Sequence, residues 1–265
     1  MKNIYVVILI LTMSVISSCK NQKSEKTNLE LKEFVEKEID YSESVQGAWT
    51  STSKNKNGEE ITHTAIVVDG YLAEALYNKE SKKFVRTFGG SWTVKENVFY
   101  LKEEFSSTDS TVIGSIREST FKMKGDTIIF EGEDKIWTRI DNSDTDLKGP
   151  WLITGRKRDG EMSNWIPGTR KTMKILSGSR FQWIAFDTKN GSFKGTGGGT
   201  YTAKNGEYIE HIEFFSRDSS RVGASLSFEY SVEDGQWNHS GLSSKGNPIY
   251  EIWTPRSILD QTTLK

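Results

Sequence analysis

Cysteine is nearly absent from this chain: Cys19 is the only thiol in 265 residues. If Cys19 is consumed by modification, the folded part has no disulfide, no thiol nucleophile and no zinc cluster, and must rest on packed cores. Histidine is almost as scarce, with His63, His211 and His239 scattered along the sequence. Only His211 has a same-face carboxylate two residues on, Glu213, and one His-x-Glu supplies at most two of the three or four ligands a metal needs. No metal and no cofactor are expected. An excess of one charge is also missing, since 35 basic side chains face 36 acidic ones. That balance gives no phosphate-binding face and no nucleic-acid partner. No Ser-centred nucleophile elbow, phosphate loop or Walker-type lysine occurs. The glycine-rich Gly195-Thr196-Gly197-Gly198-Gly199 has no helix after it to bind phosphate, so it reads as a bulge or tight strand crossing.

What is present begins at the N-terminus. Lys2, the apolar run Ile4 to Ile16 and the small residues before Cys19 have the layout of a secretory signal. The run is too short for a membrane span, reaching about 20 Å as a helix against a hydrocarbon core of about 30 Å. Ile16-Ser17-Ser18-Cys19 resembles the lipobox of bacterial lipoproteins. That resemblance implies cleavage after residue 18 and acylation of Cys19, which fixes the protein to a membrane because each buried methylene contributes about 0.8 kcal/mol. The expected location is the cell envelope, at the outer membrane, with the face left open. Residues 19–44 are polar and charged, a composition that reads as a tether. Leu29, Leu31, Phe34 and Val35 allow a short surface helix within it.

Beyond the tether the chain repeats. Gly47-Ala48-Trp49 returns as Gly149-Pro150-Trp151, Gly89-Gly90-Ser91-Trp92-Thr93 as Gly198-Gly199-Thr200-Tyr201-Thr202, and Ile136-Trp137-Thr138 as Ile252-Trp253-Thr254. A constant offset of 109 matches Glu104 to Glu213, Phe105 to Phe214, Asp109 to Asp218 and Gly114 to Gly223. Two tandem domains follow, over residues 45–140 and 147–256, with a loop between them and a tail at 257–265. Both copies alternate apolar and polar residues with the period of two that half-buried strands require. Pairs such as Asp69-Gly70, Asn205-Gly206 and Asp234-Gly235 mark tight hairpins. Closely spaced strands without intervening helices predict an antiparallel meander that closes into a barrel.

These residues resemble a family of small bacterial secreted lipocalin-like proteins, here duplicated. The likeness is best over 147–256, in Gly149-Pro150-Trp151, Arg180-Phe181-Gln182-Trp183, Tyr208-Ile209-Glu210-His211-Ile212-Glu213-Phe214 and Glu251-Ile252-Trp253. The resemblance implies all-β architecture: two antiparallel lipocalin-like barrels. It also implies that a Trp on the first strand meets an Arg on the last, Trp49 with Arg139 and Trp151 with Arg256, closing each barrel. Each copy is shorter than a typical lipocalin, so the expected cavities are small.

Alternation places Phe99, Leu101, Glu103 and Phe105 on one face of the first copy, and Tyr208, Glu210, Ile212 and Phe214 on the matching face of the second. Glu103 and Glu210 are the candidate polar anchors for a ligand, since a carboxylate inside an apolar barrel must be paired or neutralised. Trp183 and Tyr201, beside glycines, are the candidate cavity lining, with Tyr208 joining them. The expected function is non-catalytic binding of a small apolar or glycan-like molecule by an exported, lipid-anchored protein. The alternatives are an envelope enzyme using a barrel carboxylate as acid or base, and a structural lipoprotein with solid barrels.

Overall fold

The computed structural model describes residues 40–243 and 245–263. The signal segment, Cys19 and nearly all of the tether lie outside the described residues. Eight strands form the first barrel: β1 (Gly47–Lys54), β2 (Glu60–Val68), β3 (Tyr71–Asn78), β4 (Lys83–Lys95), β5 (Val98–Ser106), β6 (Ile116–Lys124), β7 (Thr127–Phe130) and β8 (Trp137–Asp141). Each pairs antiparallel with the next, and β8 returns to β1 to close the cylinder. The second copy comprises β9 (Gly149–Arg158), β10 (Glu161–Asn164), β11 (Arg170–Leu176), β12 (Arg180–Asp187), β13 (Ser192–Lys204), β14 (Glu207–Phe215), β15 (Ser225–Glu233), β16 (Gln236–Leu242) and β17 (Pro248–Pro255). Here β9 pairs with both β11 and β17, closing eight strands, while β10 is an extra hairpin arm on β9. The stretch read as a tail from 257 is a helix, α1 (Arg256–Thr263).

Turn chemistry and the glycine pairs set this geometry. Asn205 and Gly206 both have positive φ, 55° and 81°, so the β13–β14 hairpin has the backbone twist that matches its strands. Gly90 lies opposite Glu103 and Gly89 opposite Phe105, leaving Glu104 as an extra residue; Gly199 and Gly198 do the same opposite Ile212 and Phe214 around Glu213. A Cβ at Gly90 or Gly199 would lie 2.0 Å from a carbonyl oxygen of the facing strand. Glycine is required there by close approach, and the matching bulges explain why the Gly-Gly pair recurs in both copies.

The bulges also correct one expectation. Glu103 and Glu210 do lie with the buried stripe, but Phe105 and Phe214 fall beyond the bulge and leave it. They pack outside the barrels, Phe105 with Ile66, Val68, Ala73, Met173 and Ile184, and Phe214 with Ala75 and Tyr77. A one-residue insertion changes the face of everything after it.

Those outer faces join the two barrels. Phe105 packs on Phe186 with ring centres 5.1 Å apart, and its counterpart Phe214 packs on Tyr77, the counterpart of Phe186, at 4.9 Å. The same contact is thus made twice with the barrels exchanged, which is the signature of an approximate two-fold relation. At its centre Gln182 donates from Nε2 to Thr87 and to its counterpart Thr196, at 2.8 and 3.0 Å. Each barrel keeps a separate interior core, one around Trp49, Trp92 and Trp137, the other around Trp151, Trp237 and Trp253.

Candidate functional site

The two interiors differ because a few inward positions differ. In the first barrel His63 lies between Ser53 and Glu74, with Nε2 2.8 Å from the Ser53 hydroxyl and Nδ1 3.1 Å from Glu74. Glu103 pairs with Arg117 at 2.7 Å. Burial raises its pKa, opposed by the Arg117 charge. Large side chains fill the remainder, leaving a cavity of about 120 Å³.

The second barrel holds an open cavity of about 540 Å³. Register shows how the polar groups were exchanged. Lys174 on β11 faces Trp151 as Ala65 on β2 faces Trp49, and Glu210 holds the place of Leu101. The reverse holds one layer up, where Ile212 and Leu226 replace Glu103 and Arg117. Each barrel therefore carries one such ion pair, and the other copy fills those positions with two apolar residues. Burial of Glu103, Lys174 and Glu210 accounts for this covariation, Arg117 alone reaching solvent, since a buried charge without its partner costs more than the complete pair.

Lys174 Nζ donates to Glu210 at 2.9 Å, and both side chains are 6 % exposed. Four rings, those of Tyr208, Phe228, Trp237 and Trp253, surround the ammonium at 4.8 to 5.9 Å. The Tyr208 hydroxyl also donates to Glu210, at 3.0 Å. On the other side of the cavity Arg156 reaches Glu251 at 2.5 Å, and His239 Nδ1 stands 3.4 Å from the same carboxylate. Burial, reinforced by the Lys174 charge, lowers the His239 pKa and favours the neutral imidazole. Burial alone would raise Glu251, but its contact with His239 and the Lys174 and Arg156 charges hold it below the usual range. Among the described residues, Arg156 Nε, both His239 ring nitrogens and Trp253 Nε1 are buried and have no hydrogen-bond partner, and all three residues line the cavity. Trp183, Ile212, Phe215, Leu226, Phe228 and Ile249 make its apolar wall, and Lys157 and Arg158 lie at its edge.

The chain matches no family model, and no curated protein matches it either. Trp183 and Glu210 line the large cavity. Tyr208 is fully buried beneath it and supports Glu210. Tyr201 is a correction: its hydroxyl donates to the Ser177 carbonyl at 2.6 Å and meets Thr145 at 2.8 Å, so it belongs to the packed end of the barrel. Glu103 lies in the other barrel, tied to Arg117.

The structure places the Arg139 guanidinium 4.2 Å from the Trp49 ring centre. Arg256 is a second correction. Trp151 pairs with Pro255, where the strand ends, whereas Trp49 pairs with Arg139 itself. Arg256 opens α1 and turns toward the first barrel, stacking 4.1 Å over Tyr71 and pairing with Glu104 at 2.7 Å. It joins the barrels instead of meeting Trp151.

Sequence reasoning missed Lys174, Arg156, Glu251 and the role of His239. A signal existed for three of them. Lys174 shares a phase with Leu176, His239 with Trp237, and Glu251 with Trp253, all inward. Among the described residues no three His, Cys, Asp or Glu side chains converge as metal ligands.

Proposed function

We propose that this is an exported, lipid-anchored lipocalin-like protein whose second barrel binds a small molecule without transforming it, while the first barrel is a filled structural partner. The observation that carries the reading is the difference in volume. At about 540 Å³ the second cavity lies in the range of small-molecule sites, and about 120 Å³ in the first lies well below it. Eight antiparallel strands in sequential order are also the architecture of lipocalins, which supports the resemblance. Glu210 favours binding over catalysis, because Lys174 and Tyr208 both donate to it and hold its carboxylate in place. Anchoring rests on the lipobox-like Ile16-Ser17-Ser18-Cys19.

Two measurements test this. Native mass spectrometry of protein purified from an exporting bacterium is expected to show a co-purified molecule below about 500 Da, lost when Ile212→Trp fills the cavity. Palmitate labelling is expected in the full chain and absent from Cys19→Ser. Unlabelled wild-type protein in the cytosol refutes the anchor, and an Ile212→Trp variant that keeps the molecule refutes the site.

A further inference from the structure

Granting that the second barrel binds a small molecule, its polar floor restricts the chemistry of that molecule. We infer that the ligand is uncharged, with a carbonyl or hydroxyl oxygen at one end that accepts hydrogen bonds and an apolar, ring-sized body at the other.

Charge balance gives the first restriction. Lys174 is matched by Glu210 and Arg156 by Glu251, each within hydrogen-bonding distance. Those two pairs leave no net charge for an ion to neutralise. A carboxylate entering this floor meets Glu251 and Glu210, and an ammonium meets Lys174 and Arg156. Either ion forfeits its hydration without gaining a partner of its own. The cations at the edge do not repair this. Lys157 and Arg158 are exposed, Glu161 lies across the hairpin from Arg158, and salt screens such charges.

The unpartnered atoms give the second. Arg156 Nε and Trp253 Nε1 are donors only, and neutral His239 offers one donor and one acceptor. His239 is 2 % exposed. A plain hydrocarbon leaves all of these unsatisfied, and each buried group without a partner is destabilising. Acceptor oxygens on the ligand answer Arg156 and Trp253, and an N–H or O–H answers His239. Above this floor Trp183, Phe215 and Phe228 provide ring faces and Ile212, Leu226 and Ile249 provide aliphatic contact. A fatty acid satisfies the wall and fails the floor.

The test uses the full-length protein in lipid nanodiscs, with empty discs as the blank, and four probes sharing one body: 3-phenylpropanamide, 3-phenylpropanoate, 3-phenylpropylammonium and propylbenzene. Dissociation constants are read by ligand-observed NMR. The amide is expected to bind at least ten-fold tighter than each of the other three. Trp253→Phe, which keeps the ring and removes the N–H, is expected to weaken the amide by about ten-fold and leave propylbenzene unchanged. Arg156→Lys, which keeps a cation beside Glu251 and removes Nε–H, gives the same reading if Trp253→Phe does not fold. The inference is overturned if the acid, the ammonium or propylbenzene matches the amide, or if neither folded variant changes its affinity; in those cases the binding reading survives. If no probe binds, or if Ile212→Trp leaves binding unchanged, the cavity is not a binding site and both fall together.

Discussion

Replacing Glu210 by Leu, the residue at its counterpart Leu101, leaves Lys174 at 6 % exposure without its carboxylate. The ammonium loses a 2.9 Å charge-assisted hydrogen bond, and Tyr208 loses the acceptor of its hydroxyl. Four ring faces within 5.9 Å soften the loss without replacing the bond. Breaking a buried pair from one side costs about 3–5 kcal/mol. For a folded body of this size that corresponds to about 6–20 °C in Tm. Lys174→Ala alone strands Glu210 in the same way. The double variant Lys174→Ala/Glu210→Leu installs the first copy's own solution, so most of the loss is recovered, less a cavity term of about 1–2 kcal/mol for the missing lysine stem. Urea unfolding followed by tryptophan fluorescence yields the four free energies of a double-mutant cycle, with a coupling of at least about 2 kcal/mol expected. Additive single effects, or a double variant weaker than both singles, refute the claim that the barrels exchanged complete ion pairs.

Two further outcomes follow from the geometry. Gly199→Ala places a methyl 2.0 Å from the His211 carbonyl oxygen, so the β13–β14 bulge must shift, and a stability loss of at least about 2 kcal/mol is expected in the same unfolding assay, with Gly206→Ala as a turn control that does not touch the bulge. Acid lability is expected from His239: its pKa is lowered in the fold, so the unfolded chain binds the extra proton, and stability falls as pH drops below the ordinary histidine value of about 6.5. Glu251, also lowered, adds a further loss as pH falls below about 4.3 toward its folded value of about 2. Thermal melts from pH 8 to 2 are expected to decline in two stages, and His239→Gln to flatten the first; an unchanged first stage refutes the assignment.

Much of the fold was legible in the chain. The repeat at an offset of 109, the Asn-Gly and Asp-Gly turns and the alternation in β5 and β14 define two antiparallel meanders, and the lack of any other treatment for so many strand edges points to closure. The burial of Glu103 and Glu210 was legible for the same reason, since their phase is local. What failed was whatever depended on a count across the bulge. Glu104 and Glu213 look like ordinary strand residues in sequence, and only the pairing of Gly89 and Gly90 with Phe105 and Glu103 shows that one residue is extra.

The sequence by itself determined the strands, their turns, the duplication and the segregation of aromatic residues to one face, because these follow from neighbours a few positions apart. The tertiary structure alone decided that Arg256 binds Glu104 across the barrels, that Gln182 bridges Thr87 and Thr196, and that Lys174, Glu210, His239, Glu251 and Arg156 surround one hollow. Those groups come from five different strands separated by up to about a hundred residues. Their meeting depends on how the cylinder closes and where its bulges fall, and no local pattern encodes that.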